Sequence, residues 1–248
     1  MPLSSPTVPG PSEVVERSLR AAPLFRGLPP SLLHELARGA IRKRIKRGDL
    51  LWREGDPATA FVLLTVGLVK IVQRAADPHA AIIGVFGPRE SIGTVALLRR
   101  GSYPAAAVAS SAVVEYVRID PGPIFAAMSS DLAVAQLINA AVLANTVRLH
   151  DKISVMSAGG VPRRIAQQLL DLAEKFGDEL EDGSLSLPIA LSRAELASLV
   201  GARVETTIRL LARWKKAEFV SLDRDGIVLL APEKLREIAR GEGDEEDS

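Results

Sequence analysis

The sequence contains no cysteine, and this absence removes several classes of function. Without thiols the chain forms no disulfide, offers no thiolate nucleophile and holds neither Cys-ligated zinc nor an all-cysteine iron–sulfur cluster. Histidine is nearly as scarce, since the chain has only His34, His79 and His150. Because these three lie far apart in the sequence, no multi-histidine metal site is expected.

Long apolar runs and common catalytic motifs are missing as well. No stretch reaches the roughly 18 apolar residues that a membrane span needs. Residues 1–11 are polar and proline-rich, without the basic start and apolar core of a secretory signal, so we expect a cytoplasmic protein. The chain has no phosphate-binding Gly-x-x-x-x-Gly-Lys, no Gly-x-Ser-x-Gly and no His-Glu-x-x-His, so an enzyme is not expected.

The remaining composition is that of an ordinary folded protein. Of 248 residues, 47% are hydrophobic and 25% are charged, which allows one large domain or two smaller ones. The net charge of +1 does not by itself indicate a nucleic-acid partner. Local patterns must therefore decide the function.

The middle of the chain has the pattern of an antiparallel β structure. Short β-rich runs fill residues 41–119, and Gly or Asp-Pro turn signals separate them. Many short strands with regular turns predict a barrel or roll. A helix over 13–22 and another over 28–40 come first, the second with Pro29 and Pro30 at its entry.

A long helix is predicted after the roll, beginning at a cap among residues 129–131 and ending near Ser157. One face carries an apolar stripe with Asn145 on the same side; the stripe consists of Ile138, Val142, Leu149, Ile153 and Met156. Such a stripe suits a dimeric coiled coil, in which one polar residue can fix the register. The alternative is a helix that packs on its own domain.

The segment from Leu191 to Trp214 has the pattern of a helix-turn-helix. Ser192 and Glu195 have the spacing of a capping box, and Gly201 ends the first helix where a tight turn favours positive φ. A second helix is predicted from Arg203 to Lys216, with Val204, Leu210 and Leu211 packed inward. Asp225-Gly226 then predicts a β-hairpin, which would complete a winged helix. The alternative is a helical hairpin with a solvated basic face.

The second helix is the predicted reader of DNA, because in this motif it enters the major groove. Arginine suits the guanine edge and glutamate can accept from cytosine. The predicted base-reading residues are Arg203, Glu205, Ile208 and Arg209. The predicted contacts to the DNA backbone are Ser192, Arg193, Thr206, Arg213 and Lys215.

From about Pro23 to Glu237 the chain resembles the Crp/Fnr family of transcription regulators. Three stretches carry the resemblance: "VPRRIAQQLLDLAE" (161–174), the helix-turn-helix (191–211) and "ESIGTVALLRRGSYPAAAVAS" (90–110), which looks like the family's phosphate-binding cassette. The resemblance implies a homodimer on a palindromic DNA site, an effector in the roll and contact with RNA polymerase. It also maps Glu205 and Arg209 onto base-reading positions.

The cassette departs from the cyclic-nucleotide pattern. The run Gly93-Thr94-Val95 stands where nucleotide binders carry Gly-Glu-Leu, and Pro104-Ala105 stands where they carry Arg-Ser or Arg-Ala. Because neutral residues cannot replace an arginine–phosphate pair, cyclic AMP is not expected to bind. The resemblance places the expected effector pocket at Gly93, Thr94, Val95, Pro104, Ala105, Leu149 and His150. Haem is an alternative effector, since the resemblance places His150 where the long helix passes this pocket. An unidentified small molecule, or no effector, is also open.

Together these patterns predict an α+β fold: a cyclic-nucleotide-binding-like antiparallel β-roll (jelly roll), a long dimerisation helix and a C-terminal winged helix-turn-helix. A stand-alone ligand-binding module that regulates another protein, and a haem-based gas sensor, are the alternative functions. The expected divisions are an N-terminal tail and short helix (1–22), the β-roll sensor (23–128), the dimerisation helix (129–158), the DNA-binding domain (159–240) and an acidic disordered tail (241–248).

Overall fold

Two helices and a short 3-10 turn lead into the β-roll. The structure is a computed structural model, and it describes residues 11–73, 81–143, 159–223 and 226–242. The leading elements are α1 (Pro11–Ala21), the turn Pro23–Phe25 and α2 (Pro30–Arg38). Proline at the first helical position of α2 suits a helix start, where its missing N–H is not needed. The apolar sides of both helices pack under the roll around Phe25 and Phe61.

The roll consists of two antiparallel four-stranded sheets, ordered β1-β8-β3-β6 and β2-β7-β4-β5. Its strands are β1 (Ile41–Lys46), β2 (Leu50–Trp52), β3 (Phe61–Val66), β4 (Val69–Gln73), β5 (Ala81–Phe86), β6 (Ser91–Ile92), β7 (Ala106–Ala109) and β8 (Val113–Ile119). A short helix, α3 (Thr94–Leu98), lies between β6 and β7. Side chains from both sheets meet in a common core, with Val62 and Leu64 facing Val69 and Ala107. The predicted antiparallel roll is confirmed.

After the roll the chain forms α4 (Gly122–Ser130) and then turns by 120° into a helix, α5, described over Leu132–Leu143. Asp131 caps α5, since its Oδ1 accepts the N–H of Ala133 at 2.8 Å. No single helix among the described residues has the length and apolar content of a membrane span. The bent pair of α4 and α5 reaches that length and apolar content only when the two helices are taken together.

The structure corrects one part of the predicted dimer stripe. Ile138 is completely buried and, with Val134, belongs to the protomer's own core, which it shares with α1, α2, α4 and the roll. Exposed leucines occupy other positions of α5, with Leu132 at 73% and Leu143 at 64% exposure. Val142 is half-buried. The remaining stripe residues Leu149, Ile153 and Met156, together with Asn145 and His150, lie outside the described residues.

The C-terminal part is a winged helix. Its elements are α6 (Val161–Phe176), β9 (Asp178–Glu179), β10 (Leu185–Leu187), α7 (Arg193–Leu199), α8 (Val204–Lys216), β11 (Val220–Leu222), β12 (Ile227–Leu229) and α9 (Pro232–Arg240). The strands form a sheet ordered β11-β12-β10-β9. Ile165, Leu169, Leu211, Trp214 and Leu235 lie in its core.

Two strands of this sheet were not predicted from the sequence. Residues 177–184 were expected to form an exposed acidic loop, but they begin with β9, which pairs with β10. Ser184 Oγ donates to Asp182 Oδ1 at 2.6 Å and stabilises the turn between the two strands. The acidic side chains are exposed as expected, and the backbone nevertheless closes the sheet.

Candidate functional site

The first helix of the helix-turn-helix, α7, begins with a complete capping box. The N–H of Glu195 donates to Ser192 Oγ at 3.2 Å, and the N–H of Ser192 donates to Glu195 Oε2 at 2.8 Å. Both groups at the helix start are therefore satisfied, as the spacing predicts. Leu196, Ala197 and Leu199 bury the opposite side of α7, which fixes the helix on the domain core.

The turn between α7 and α8 brings the two helices together at a fixed angle. Gly201 has a φ of 62°, the left-handed conformation that the sequence predicts there. The N–H of Ala202 donates to the carbonyl of Ala197 at 2.9 Å and closes the turn. Thr207 is buried in α8, and its Oγ1 donates to the carbonyl of Arg203 at 3.1 Å.

The inner side of α8 differs from the prediction at one position. Thr207, Leu210, Leu211 and Trp214 are buried, at the spacing of one helical face. Val204 was expected to pack inward, but it is 37% exposed. It lies at the first residue of the helix, one turn before the packed face begins, so its side chain is only partly covered.

The outer side of α8 carries the predicted contact residues. Glu205, Ile208 and Arg209 are exposed, and Ile208 shows 48% of its surface although it is apolar. Arg203, Arg213 and Lys215 are exposed on the same helix or at its start, and Thr206 is half-buried. Ser192 and Arg193 are exposed at the start of α7. The outer surface of α8 therefore combines cationic, acidic and apolar groups.

Charge on α8 is strongly unequal. Arg209, Arg213, Lys215 and Lys216 face a single acid, Glu205, and the three cations of the last turn stand where the helix dipole favours positive charge. A cationic helix on an exposed corner of a domain is suited to binding a polyanion. The arrangement can hold phosphate groups while the middle of the helix contacts the groove between them.

A β-hairpin, the wing, follows α8. The N–H of Asp223 donates to the carbonyl of Gly226 at 3.1 Å, and the N–H of Gly226 donates to Asp223 Oδ1 at 2.8 Å. The N–H of Phe219 donates to the carbonyl of Trp214 at 2.9 Å, which ties the first wing strand to the end of α8. The predicted hairpin between β11 and β12 is present.

The predicted effector residues divide into an inner and an outer group. Gly93 has a φ of 73° at the start of α3, and Thr94 and Ala105 are buried. Within the described part of the chain, Oγ1 of Thr94 has no hydrogen-bond partner. Val95 and Pro104 are exposed on the surface of the roll and do not face its interior. Leu149 and His150 are outside the described residues.

Two aromatic residues that the sequence analysis missed fill the space beside this inner group. Trp52 and Tyr103 are both buried and stack with ring centres 4.1 Å apart and planes 16° from parallel. Trp52 Nε1–H donates to the carbonyl of Ala105 at 2.9 Å. A Cβ on Gly93 would lie 2.6 Å from Tyr103 Cε1, so only glycine fits against the stack. Burial raises the pKa of Tyr103, which keeps its phenol neutral.

The described part of the chain also lacks a metal-binding cluster. No group of three or more His, Asp or Glu side chains there is placed to hold a metal ion. The described features that stand out are therefore the exposed face of α8 and the aromatic interior of the roll.

Models of two known protein domains match this chain, one in its N-terminal half and one in its C-terminal half. The model of the cyclic nucleotide-binding domain matches residues 42–131, and that of the Crp-like helix-turn-helix domain matches residues 163–238. The chain is 26% identical to a CRP-like cAMP-activated global transcriptional regulator of Mycobacterium tuberculosis over 226 residues, 91% of this chain and 100% of that one. It is 27% identical to a cyclic AMP receptor protein of Thermus thermophilus over 218 residues, 86% and 91% of the two chains.

Solved structures agree on the fold. The crystal structure of a CRP/FNR-family transcriptional regulator from Thermus thermophilus superimposes with a TM-score of 0.64 at 21% identity, covering 81% of this chain and 98% of that one. A roll, intervening helices and a C-terminal winged helix are thus shared at low sequence identity. Family matches, relatives of similar length and fold together show that the chain belongs to the Crp/Fnr family of transcription regulators, which act through a helix-turn-helix and are not enzymes.

Proposed function

We propose that this protein is a sequence-specific regulator that binds a palindromic duplex site as a homodimer, with α8 of each protomer in the major groove. The observation that carries the proposal is the exposed cationic face of α8 within a complete winged helix. In this docking geometry a dimer contacts half-sites about one helical turn apart. The proposed place of action is the cytoplasm, where bacterial DNA and RNA polymerase, the second proposed partner, are found.

We assign roles on this surface by position and chemistry. Arg209 can form paired hydrogen bonds with a guanine, Glu205 can accept from a cytosine, and Ile208 can contact a thymine methyl group. Arg203 stands at the start of α8, where the N-terminal end of a recognition helix meets base edges. The proposed backbone contacts, which position the helix without reading sequence, are Ser192, Arg193, Thr206, Arg213 and Lys215.

Dimerisation is proposed through residues 131–157, of which 131–143 are described. On α5 the exposed leucines Leu132 and Leu143 are apolar groups that lack cover within the protomer. Leu137 is also partly open, at 37% exposure. An apolar helix side that follows a complete roll suits contact with the same helix of a second protomer.

We further propose that the roll modulates DNA binding through an effector other than cyclic AMP. Thr94 and Pro104 bring no charge to a nucleotide phosphate, and a phosphate loses most of its binding energy without a charged partner. The stacked rings of Trp52 and Tyr103 also occupy the interior beside Gly93 and Ala105. The residues present therefore do not fit a cyclic nucleotide, although relatives are named for one.

Selection of preferred duplexes from a random library, with and without cyclic AMP, tests this function. A palindrome recovered without nucleotide supports it, as does a dimer in sedimentation analysis. A palindrome recovered only with cyclic AMP would refute our interpretation of Thr94 and Pro104, and a haem band in the visible spectrum of the same sample would indicate a gas sensor. No selected sequence in any condition would refute specific DNA reading.

A further inference from the structure

Strand β4 of the roll is shared between two cores. Val69 and Ile71 face the roll interior with the aromatic stack, while Val72 faces the opposite way and joins the core of the winged helix. Lys70 projects from the same outer side as Val72, as expected for alternate residues of a strand. The wall of the roll therefore contacts the DNA-binding domain directly.

Lys70 forms an ion pair across this boundary. Its Nζ binds Oε1 of Glu195, and the two side chains are only 15% and 23% exposed. The other oxygen of Glu195 accepts the N–H of Ser192 in the capping box of α7. One carboxylate thus holds the start of the helix-turn-helix and the wall of the roll together. Because the pair is largely shielded from water, it is screened less than a surface ion pair.

Three further hydrogen bonds cross the same boundary near β5 and β7. The N–H of Ile82 donates to Ser198 Oγ at 3.1 Å, which attaches α7 to β5. Ser110 Oγ donates to the carbonyl of Ala190 at 3.0 Å, and Ser111 Oγ donates to the carbonyl of Pro188 at 2.8 Å. The segment before α7 and α7 itself are therefore fixed to the roll at several separate points.

The end of α6 makes a second close approach to the roll. A Cβ on Gly87 would lie 2.4 Å from Phe176 Cε1, so the aromatic ring rests directly on the glycine backbone. Lys175 Nζ donates to Glu90 Oε1 at 2.7 Å beside it. The winged helix contacts the roll in two regions, one on α7 and one on α6. Because one contact alone would act as a pivot, the second contact opposes rotation of the winged helix relative to the roll.

These contacts leave the DNA-facing surface free. Glu205, Ile208 and Arg209 are exposed on α8, and Arg193 is exposed at the start of α7. The roll contacts Glu195 and Ser198 of α7, and Glu205, Ile208 and Arg209 on the proposed groove-reading side of α8 stay exposed. Docking therefore restricts the orientation of α8 without blocking it.

We infer that Lys70 is a positioning residue for DNA recognition: it touches no DNA, but through Glu195 it holds the helix-turn-helix in its reading orientation. This inference rests on the proposed function. A DNA-binding domain that is already held in one orientation loses less rotational entropy when both protomers bind one DNA site, so binding is tighter. Loss of the ion pair therefore weakens specific binding by roughly tenfold, within the usual range for coupling between sites.

Hydrogen exchange of the full-length protein without DNA tests the docking. Lys70→Met should speed exchange of the Ile82 amide, which is bonded across the boundary, and leave the pairing of β1 with β8 unchanged. Lys70→Arg keeps the charge and should restore protection. Glu195→Gln should act like Lys70→Met, because the single amide oxygen of glutamine can keep the capping box while an NH2 group replaces the oxygen that Lys70 binds. Unchanged exchange at Ile82 in Lys70→Met would refute the docking role.

Affinity for the selected duplex over a range of salt concentrations tests the positioning. Lys70→Met should weaken binding and leave the salt dependence unchanged, whereas loss of a direct phosphate contact would flatten it by about one unit. Lys43→Met, on the exposed edge strand β1, is the matched control and should bind like the wild type.

The outcomes separate the two proposals. Wild-type affinity or tighter binding in Lys70→Met, or a flattened salt dependence, would overturn positioning while leaving DNA recognition intact. Failure of the wild type to bind any selected duplex would overturn the proposed function and the positioning role with it, and the exchange experiment would still decide whether Lys70 docks the domains.

Discussion

Replacement of Trp52 by alanine should open a cavity of about the size of the indole side chain inside the roll. The indole is buried, stacks on Tyr103 at 4.1 Å and donates to the carbonyl of Ala105. Removing a buried tryptophan costs about 3–5 kcal/mol. Of this, the stack contributes about 0.5–1.5 kcal/mol and the hydrogen bond about 1 kcal/mol. The remainder is lost burial and the cavity itself.

Urea denaturation measures this loss. At an m-value of about 2 kcal/mol per molar, a loss of about 4 kcal/mol moves the midpoint down by about 2 M. Trp52→Phe keeps a ring but leaves the Ala105 carbonyl without its donor, and it should lose only about 1–2 kcal/mol. The difference between the two variants isolates the contribution of the filled space.

Added indole should restore part of the stability of Trp52→Ala. A ligand that binds only the folded state at a hundredfold excess over its Kd returns about 2.7 kcal/mol. Cyclic AMP should have no such effect, because the cassette lacks a charged phosphate partner. A loss below about 1 kcal/mol in Trp52→Ala, together with no response to indole, would refute the conclusion that the indole fills the interior.

Other predictions concern the DNA surface and the tyrosines. Arg209→Ala should weaken specific binding and relax one base position in a randomised-site selection, and an unchanged preference would exclude its base-reading role. Lys215→Ala should weaken binding to all sequences and flatten the salt dependence by about one unit, and a loss confined to one base pair would contradict it. The chain has only two tyrosines, and burial raises the pKa of both Tyr103 and Tyr116. Because the folded state disfavours tyrosinate, stability should hold below the ordinary tyrosine pKa of about 10 and fall as pH rises through the folded pKa values. Absorbance of tyrosinate during an alkaline titration checks this, and ionisation at the ordinary pKa in the folded protein would contradict it.

The helix-turn-helix could be predicted because its signals are local. Ser192 and Glu195 are three residues apart, and Gly201 determines the turn by its own conformational freedom. The exposed side of α8 follows from helical periodicity over the same short segment. Val204 departed from that periodicity because burial depends on what covers a residue as well as on its phase.

The filled interior of the roll could not be predicted in the same way. Trp52 and Tyr103 lie far apart in the sequence, and they meet through the pairing of β2 with β7 and through backbone hydrogen bonds of Tyr103 with Gly55 and Asp56. Lys70 presents the same difficulty, because a lysine between two apolar strand residues has the pattern of a solvent-facing position. Its acidic partner stands 125 residues further along the chain.

The two oxygens of Glu195 limit which DNA-binding domains could be exchanged between this protein and its relatives. A capping box works with glutamine as well as with glutamate, but the contact with Lys70 uses the second carboxylate oxygen, which glutamine replaces with an amide NH2 group. A DNA-binding domain borrowed from a relative with glutamine at this position would fold normally and still sit loosely on this roll. Designers of chimeric regulators would therefore need to transplant the lysine and the glutamate together, as one unit that crosses the junction between sensor and reader.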